Sequence, residues 1–166
     1  MSSWLFNKSC RVALGALVIG AVVAGSLAPS FSRADEPSPA DEAIQYRQAV
    51  YTVLGTNFMP LGAMLQGKAP FNGAVASKSA DRVAYLATMV GDAFPEISKN
   101  GKTSAKPEIW THRADFDKKV AALVSSTDAL AKLLRKDRTD SAAFKKAAGA
   151  VGQSCKSCHD DYKKDE

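Results

Sequence analysis

Five residues near the end of the chain, Cys155-Lys156-Ser157-Cys158-His159, constrain its fold more than any other feature. A Cys-x-x-Cys-His run is the attachment signal of a c-type haem, in which both thiols bond to the vinyl groups and the histidine binds the iron. Only seven residues follow His159, so any group on the other face of the haem must come from earlier in the chain.

Other interpretations of the cysteine pair need partners or surroundings that the sequence does not offer. A zinc site would need a second pair of Cys or His ligands, and the chain has none. A thioredoxin-like redox pair would need strand-helix-strand surroundings, whereas the flanking residues follow a helical period. A simple disulfide or a chance match to the motif stays open as an alternative.

The first 34 residues have the pattern of a secretory signal peptide. Lys8 and Arg11 precede an uncharged apolar run over residues 12–27, and Ser32-Arg33-Ala34 supplies small residues for cleavage. A retained membrane anchor is the alternative, although the run is short for a bilayer of about 30 Å. We therefore predict cleavage after Ala34, a periplasmic location, and a haem domain over residues 35–166 that is not membrane-bound.

The charge balance of the chain argues against nucleic acid as a partner. The full sequence has 22 Lys and Arg against 17 Asp and Glu, a net charge of +5. The signal segment holds three of those cations and no acid, so the remaining domain has 19 against 17, a formal +2. Cleavage also removes Cys10, and haem attachment would consume the two remaining thiols before they could oxidise.

The first predicted helix begins at Asp41 as its N-cap and ends in the glycine-containing loop 67–73. Pro60 lies inside it and should kink or interrupt it near Asn57, because proline removes a helical hydrogen bond, unless a local irregularity absorbs that loss. Arg47 falls on the apolar seam, which otherwise keeps three- and four-residue steps through Ile44, Tyr51, Leu54, Phe58, Leu61 and Leu65.

Three more helices are predicted over residues 79–94, over residues 114–136, and after a cap at Asp140 or Ser141. The connection 95–111 is long for a small domain, and loops of that length are usually functional or wrap something. We predict an all-α fold, an antiparallel four-helix bundle with a covalently bound haem inside.

The last helix places both thiols on its inward face. The apolar stripe advances in steps of four, three, four, three and four through Phe144, Ala148, Val151, Cys155, Cys158 and Tyr162. Small residues accompany it, including Ala147, Gly149 and Gly152, and these either allow close helix packing or leave room for a flat cofactor. The haem should therefore lie in the core and face the first helix.

Few side chains could bind the iron opposite His159. By residue type, the other candidates are His112, Met59, Met64 and Met89. Such side chains are more often surface residues or core fillers than ligands. The seam of the first helix instead presents Tyr51, whose phenol has an ordinary pKa of about 10 and binds iron poorly when protonated. We expect Tyr51 to cover the sixth position and leave the iron five-coordinate.

With these residues the chain resembles the cytochrome c prime family of class II c-type cytochromes. The resemblance spans nearly all of the predicted mature chain. It rests on Tyr46-Arg47-Gln48, Gly62-Ala63-Met64, Lys68-Ala69-Pro70-Phe71, Lys106-Pro107-Glu108-Ile109-Trp110 and the run from Val151 to Asp160.

The resemblance implies a periplasmic homodimer, joined through its first two helices, with one haem c whose high-spin iron binds nitric oxide or carbon monoxide. It places Arg47 and Gln48 at the haem propionates, Tyr51 at the distal position and Ser104 at a polar haem contact. The chain departs from the family at Lys163, where relatives often have an arginine, and in the loop 94–101, which lacks their Trp and Gly-rich run.

The leading functional hypothesis is a gas-binding haem protein whose ligand must displace or pass Tyr51. The alternative is a low-spin electron carrier of the same class serving a small redox partner, which would need a methionine near Tyr51. A peroxidase would need a distal base and a cation to cleave an oxygen bond, so we expect no enzymatic activity.

Overall fold

The computed structural model describes residues 36–165, and the predicted signal peptide, residues 1–34, lies outside that range. Within it the only β-type pairing is an isolated bridge between Ala105 and Lys163, with no strand. No described helix is long and apolar enough to cross a membrane. The helices are α1 (Pro39–Leu65), α2 (Gly73–Ala87), α3 (Glu108–Thr111), α4 (Arg113–Lys136) and α5 (Ser141–Tyr162), with short 3₁₀ turns at Gly91–Ala93 and Glu96–Lys99.

Helix α1 starts earlier than its sequence pattern predicts. Its N-cap is Ser38, followed by Pro39 at the first helical position, so the prediction of Asp41 as N-cap is wrong. The Ser38 Oγ accepts from the Asp41 backbone amide at 3.2 Å, and the Asp41 carboxylate accepts from the Ser38 backbone amide at 3.3 Å. Asp41 is therefore the third-position partner in a capping box.

Pro60 does not interrupt α1, which continues to Leu65. The carbonyl that loses its helical donor belongs to Thr56, which is exposed, so water can take over that hydrogen bond. The predicted interruption near Asn57 is therefore wrong, and one unbroken helix forms a full side of the bundle.

Helix α2 lies six residues earlier than predicted, from Gly73 rather than residue 79, and ends at Ala87 rather than at Phe94. Asn72 caps it by accepting from the amides of Ala74 and Val75. Its buried face consists largely of small side chains, so few large apolar residues mark its start; the buried residues are Ala76, Ser77, Ser79, Ala80, Val83 and Ala87.

The other two long helices agree with their patterns. Helix α4 begins one residue before its predicted start, and Asp140 caps α5 by accepting from the amides of Ala142 and Ala143. The apolar stripe of α5 faces inward as predicted, with Phe144, Ala148 and Val151 fully buried.

The four long helices form the predicted antiparallel bundle, with three closely packed sides and one open side. Helix α5 packs on α4, α4 on α2, and α2 on α1, whereas α1 and α5 meet at few points. The largest fully buried side chains of the core are Phe116, Phe144, Leu61, Ile109, Leu130, Leu134, Val83, Val90 and Val151.

The C-terminal end of α5 is tied to the connection that precedes α3. The Lys106 amide donates to the Tyr162 carbonyl at 2.9 Å, and the Lys164 amide donates to the Ser104 carbonyl at 2.8 Å. The Lys106 Nζ also donates to the Asp160 carbonyl at 3.1 Å. Carbonyls at the end of a helix have no partner within it, so these bonds hold the turn that follows the motif.

Candidate haem site

A cavity of about 530 Å³ fills the open side between α1 and α5. Its volume is in the range of small-molecule and cofactor sites. All seven site residues predicted from the sequence line this cavity, although their roles remain predictions: Arg47, Gln48, Tyr51, Ser104, Cys155, Cys158 and His159.

The two motif cysteines are half-buried free thiols on the cavity wall, one turn apart on α5. Burial raises the pKa of Cys155, and burial raises that of Cys158 to about 11 against the opposing effect of Lys119. His159 lies beside them at an exposed edge, where partial burial and then the charge of Lys163 lower its pKa. A neutral imidazole is the form that binds a metal.

The shape and chemistry of the cavity fit a haem. Gly55 and Gly152 line it from opposite helices, and a Cβ atom at either position would meet nothing within 4 Å. Of the small residues singled out on α5, only Gly152 lines the cavity, whereas Ala148 is packed in the core. Two thiols, an imidazole and mainly apolar walls are the groups that a covalently held haem requires.

A buried arginine closes one end of the cavity. The Arg47 guanidinium is only 4% exposed, and its Nη atoms donate at 2.8 Å to the hydroxyls of Ser98 and Thr103. Longer bonds run from it to the carbonyls of Ala93 and Ser98, and its Cζ lies 4.8 Å from the Phe94 ring centroid. Burial lowers its pKa.

No carboxylate within residues 36–165 pairs with Arg47, which leaves a buried positive charge facing the cavity without a counter-ion. Buried charges in proteins are normally paired, so this end of the cavity suits an anionic group. Haem carries two propionates, which makes Arg47 chemically suited to the position that the family resemblance gives it.

Tyr51 lies on α1 in the cavity wall, with its ring edge-on to Phe94 at a centroid distance of 6.2 Å. Burial, followed by the nearby thiols, raises its pKa well above the ordinary value, so the phenol stays neutral. Its hydroxyl has no hydrogen-bond partner among the described side chains and backbone.

Among the described residues, the remaining histidine and the three methionines do not line the cavity. His112 and Met59 are exposed, Met64 is buried and its sulfur accepts from the Asn72 amide, and Met89 does not line the cavity. Their interpretation as surface or packing residues agrees with these positions.

Sequence reasoning missed Thr103 and Lys119, which both line the cavity. Thr103 lies in the irregular connection 95–111, which wraps the Arg47 guanidinium, and no local pattern indicates a partner 56 residues away. Lys119 lies beside the apolar seam of α4, three residues after Phe116 and four before Leu123, but a lysine normally signals a solvated face. Tyr162, on the predicted stripe, donates to Asp115 of α4 at 2.7 Å.

A family model described as Cytochrome C' matches residues 42–163 of the sequence. The chain belongs to the cytochrome c prime family. It therefore binds haem c through covalent bonds, and the described residues include two free cysteines in the wall of the cavity.

Individual members of the cytochrome c prime family are similar to the chain over most of their length. Cytochrome c' of Rubrivivax gelatinosus is 39% identical over 126 residues, which cover 74% of this chain and 94% of that protein. The solved cytochrome c prime of Shewanella frigidimarina is 42% identical with a TM-score of 0.72, covering 78% of this chain and all of that one. The nitric oxide complex of a mutant of cytochrome c prime from Alcaligenes xylosoxidans is 30% identical, with a TM-score of 0.69 and coverage of 78% and 100%.

Proposed function

We propose that this chain is a periplasmic haem protein whose high-spin iron has five ligands and binds nitric oxide or carbon monoxide on the side facing α1. One observation carries the proposal. His159 is the only His or Met side chain among the described residues that line the cavity. Because the cavity wall offers no second strong side-chain ligand, one coordination position of the iron stays open for a small molecule.

A relative supports the nature of that molecule. The cytochrome c prime of Alcaligenes xylosoxidans, 30% identical to this chain, has been solved as a nitric oxide complex. The bound haem supplies an iron that takes up a diatomic gas and can change its oxidation state. A role in nitric oxide handling or electron transfer follows from those two properties.

Tyr51 acts as a steric cover on the side opposite His159. Its phenol stays protonated because burial raises its pKa, and a protonated phenol is a poor iron ligand. Its ring is held against Phe94, so an incoming molecule has to displace the ring or pass beside it. Small diatomic molecules are therefore favoured over larger ones.

Arg47 and Gln48 hold the propionate end of the haem, and Ser104 provides a further polar contact from the connection before α3. Arg47 contributes the charge, because its guanidinium has no carboxylate partner within residues 36–165 and already sits in a fixed frame of hydroxyls and carbonyls. A planar, preorganised donor of this kind binds carboxylates well.

A homodimer through α1 and α2 is part of the proposal. Five of the six large apolar side chains most exposed in the described part of the chain lie on these two helices: Tyr46, Val53, Met59, Val75 and Tyr85. The concentration of exposed apolar side chains on two neighbouring helices favours a contact between proteins at these helices. Val53→Glu should shift the holoprotein from twice the chain mass to the chain mass in sedimentation experiments, and a parent protein that sediments as a monomer would contradict a dimer.

Optical and electron paramagnetic spectra of the purified holoprotein test the state of the iron. We expect a high-spin ferric spectrum and carbon monoxide binding to the ferrous form. A low-spin spectrum with a methionine-to-iron charge-transfer band would instead identify an electron carrier. Sequencing the N-terminus of periplasmic protein should give residue 35 as the first residue.

The role of Tyr51 is tested by comparing Tyr51→Ala with Tyr51→Phe. Removing the ring should raise the association rate of carbon monoxide at least tenfold, whereas Tyr51→Phe keeps the ring and should stay near the parent rate. Unchanged rates in Tyr51→Ala would show that the ring does not limit access.

A further inference from the structure

A lysine from α4 reaches across to the haem-attachment turn of α5. The Lys119 Nζ lies 2.9 Å from the Ser157 Oγ, 3.3 Å from the Ser157 carbonyl oxygen and 2.8 Å from the Asp161 Oδ2. An ammonium has three protons to donate, and these three acceptors match that number. Ser157 and Asp161 lie on either side of the pair Cys158-His159.

The environment of Lys119 differs from that of the surface ion pairs. Its side chain is 20% exposed, whereas the lysine in each of the other Lys–carboxylate pairs of the described residues is 47% exposed or more. It also lines the cavity. Asp161 itself is 55% exposed, so the tether depends on the partly buried lysine and on its three acceptors rather than on a shielded ion pair.

We propose that Lys119 is a positioning residue for His159, holding both ends of the Cys158-His159 turn against α4 so that the imidazole keeps one orientation toward the iron. The inference rests on the proposed role of His159 as iron ligand. It adds a residue that the sequence motif does not contain and that lies on a different helix.

The position of the turn explains why such a tether is needed. His159 lies three residues before the end of α5, where helices fray, and its other side faces the cavity rather than packed protein. The orientation of a metal ligand is set by the groups that hold it, and their loss typically weakens the site. Lys106 holds the neighbouring Asp160 carbonyl, so tethers reach this turn from two segments of chain.

The charge of Lys119 gives the tether an electrochemical consequence. A cation close to the haem favours the state with the additional electron, because opposite charge is stabilised more strongly in a partly desolvated site. Removal of Lys119 should therefore lower the midpoint potential as well as loosen the turn.

The test uses full-length holoproteins. Lys119→Met removes the tether and the charge while keeping the aliphatic stem, and Lys118→Met removes an exposed neighbouring charge without a tether. Resonance Raman spectra of the ferrous forms give the iron–histidine stretching band, and redox titration gives the midpoint potential. We expect a shifted or broadened band and a lower potential in Lys119→Met, with the parent band retained in Lys118→Met.

A second variant separates orientation from charge. Asp161→Ala removes an acceptor of the tether together with a negative charge, so it should also disturb the iron–histidine band, but without lowering the potential. If Lys119→Met yields no holoprotein, the band of Asp161→Ala decides the question. A parent-like band in Asp161→Ala, or equal behaviour of Lys119→Met and Lys118→Met, would overturn the inference. If the parent protein shows no iron–histidine band, the proposed function itself is wrong. That failure is distinguishable from failure of the Lys119 inference, because it is measured on the parent protein and not on a variant.

Discussion

Replacement of Arg47 by methionine should cost the holoprotein about 2–4 kcal/mol of stability. The guanidinium makes two hydrogen bonds of 2.8 Å, to the hydroxyls of Ser98 and Thr103, and two longer ones of 3.3 and 3.4 Å to backbone carbonyls. Hydrogen bonds to charged groups contribute about 1.5–3 kcal/mol each, so the two short bonds dominate. Removing the desolvation cost of the guanidinium returns part of that loss, and the range given counts these four bonds without the proposed propionate contact.

Arg113 offers a matched control for this substitution. It also contacts an aromatic ring and reaches the same part of the chain, donating to the carbonyls of Phe94 and Gly91 and to the carboxylate of Asp117. Its side chain is 43% exposed, however, so water can replace those partners. Arg113→Met should therefore cost less than about 1 kcal/mol.

Urea unfolding of the holoproteins, followed by far-ultraviolet circular dichroism, measures both losses from the midpoints and slopes. Arg47→Lys should lose most of what Arg47→Met loses, because an ammonium cannot span the Ser98 and Thr103 hydroxyls with a planar fork. Equal losses of unfolding free energy in Arg47→Met and Arg113→Met would refute the conclusion that burial makes the hydrogen bonds of Arg47 stabilise the fold.

Three further predictions concern the cavity, the pH dependence and the packing of the bundle. Gly152→Leu should fill the cavity and reduce the haem-to-protein ratio of the purified protein, whereas Gly149→Leu, at an open helical position outside the cavity, should leave that ratio unchanged. Burial and a carboxylate on α4 raise the pKa of Tyr162 to about 12, so its contribution to stability is present below pH of about 10 and is lost as pH rises toward about 12. Tyr162→Phe should accordingly lose less stability than the parent between pH 9 and pH 11 in urea unfolding, and an equal loss would contradict this. Gly73→Ala should lower stability by about 1–3 kcal/mol in thermal unfolding, because its Cβ would lie 1.9 Å from the Arg138 carbonyl oxygen, and an unchanged Tm would show that the two segments can separate freely.

Local signals predicted most of the long helices and the wall of the site that lies on α5. Asp140 was recognisable as a cap by residue type, and the stripe through Cys155 and Cys158 follows from helical geometry alone. At the start of α1, the pairing of Ser38 with Asp41 is also a local pattern, since a serine three residues before an acid signals a capping box. The residue type of Asp41 alone does not reveal that reciprocity.

The remaining features depend on contacts between distant parts of the chain. Arg47 interrupts an apolar seam by residue type, yet it is buried because Ser98 and Thr103 arrive from a connection about fifty residues later. Phe94 fits the period of the preceding helix but lies beyond it, where it packs under the guanidinium. No window of sequence around either residue contains its partners, so periodicity gives the inward position of Arg47 without its partners and wrongly extends the preceding helix to Phe94.

The single open side of the bundle sets an order of assembly. Helices α1 and α2 form one hairpin, α4 and α5 form the other, and the thiols point into the gap that α1 covers. Haem attachment to Cys155 and Cys158, as proposed, requires space between α1 and α5, so α1 reaches its final contacts with α5 only after the haem is in place. Backbone amides of α1 should therefore exchange with solvent faster in a chain that has not received its haem.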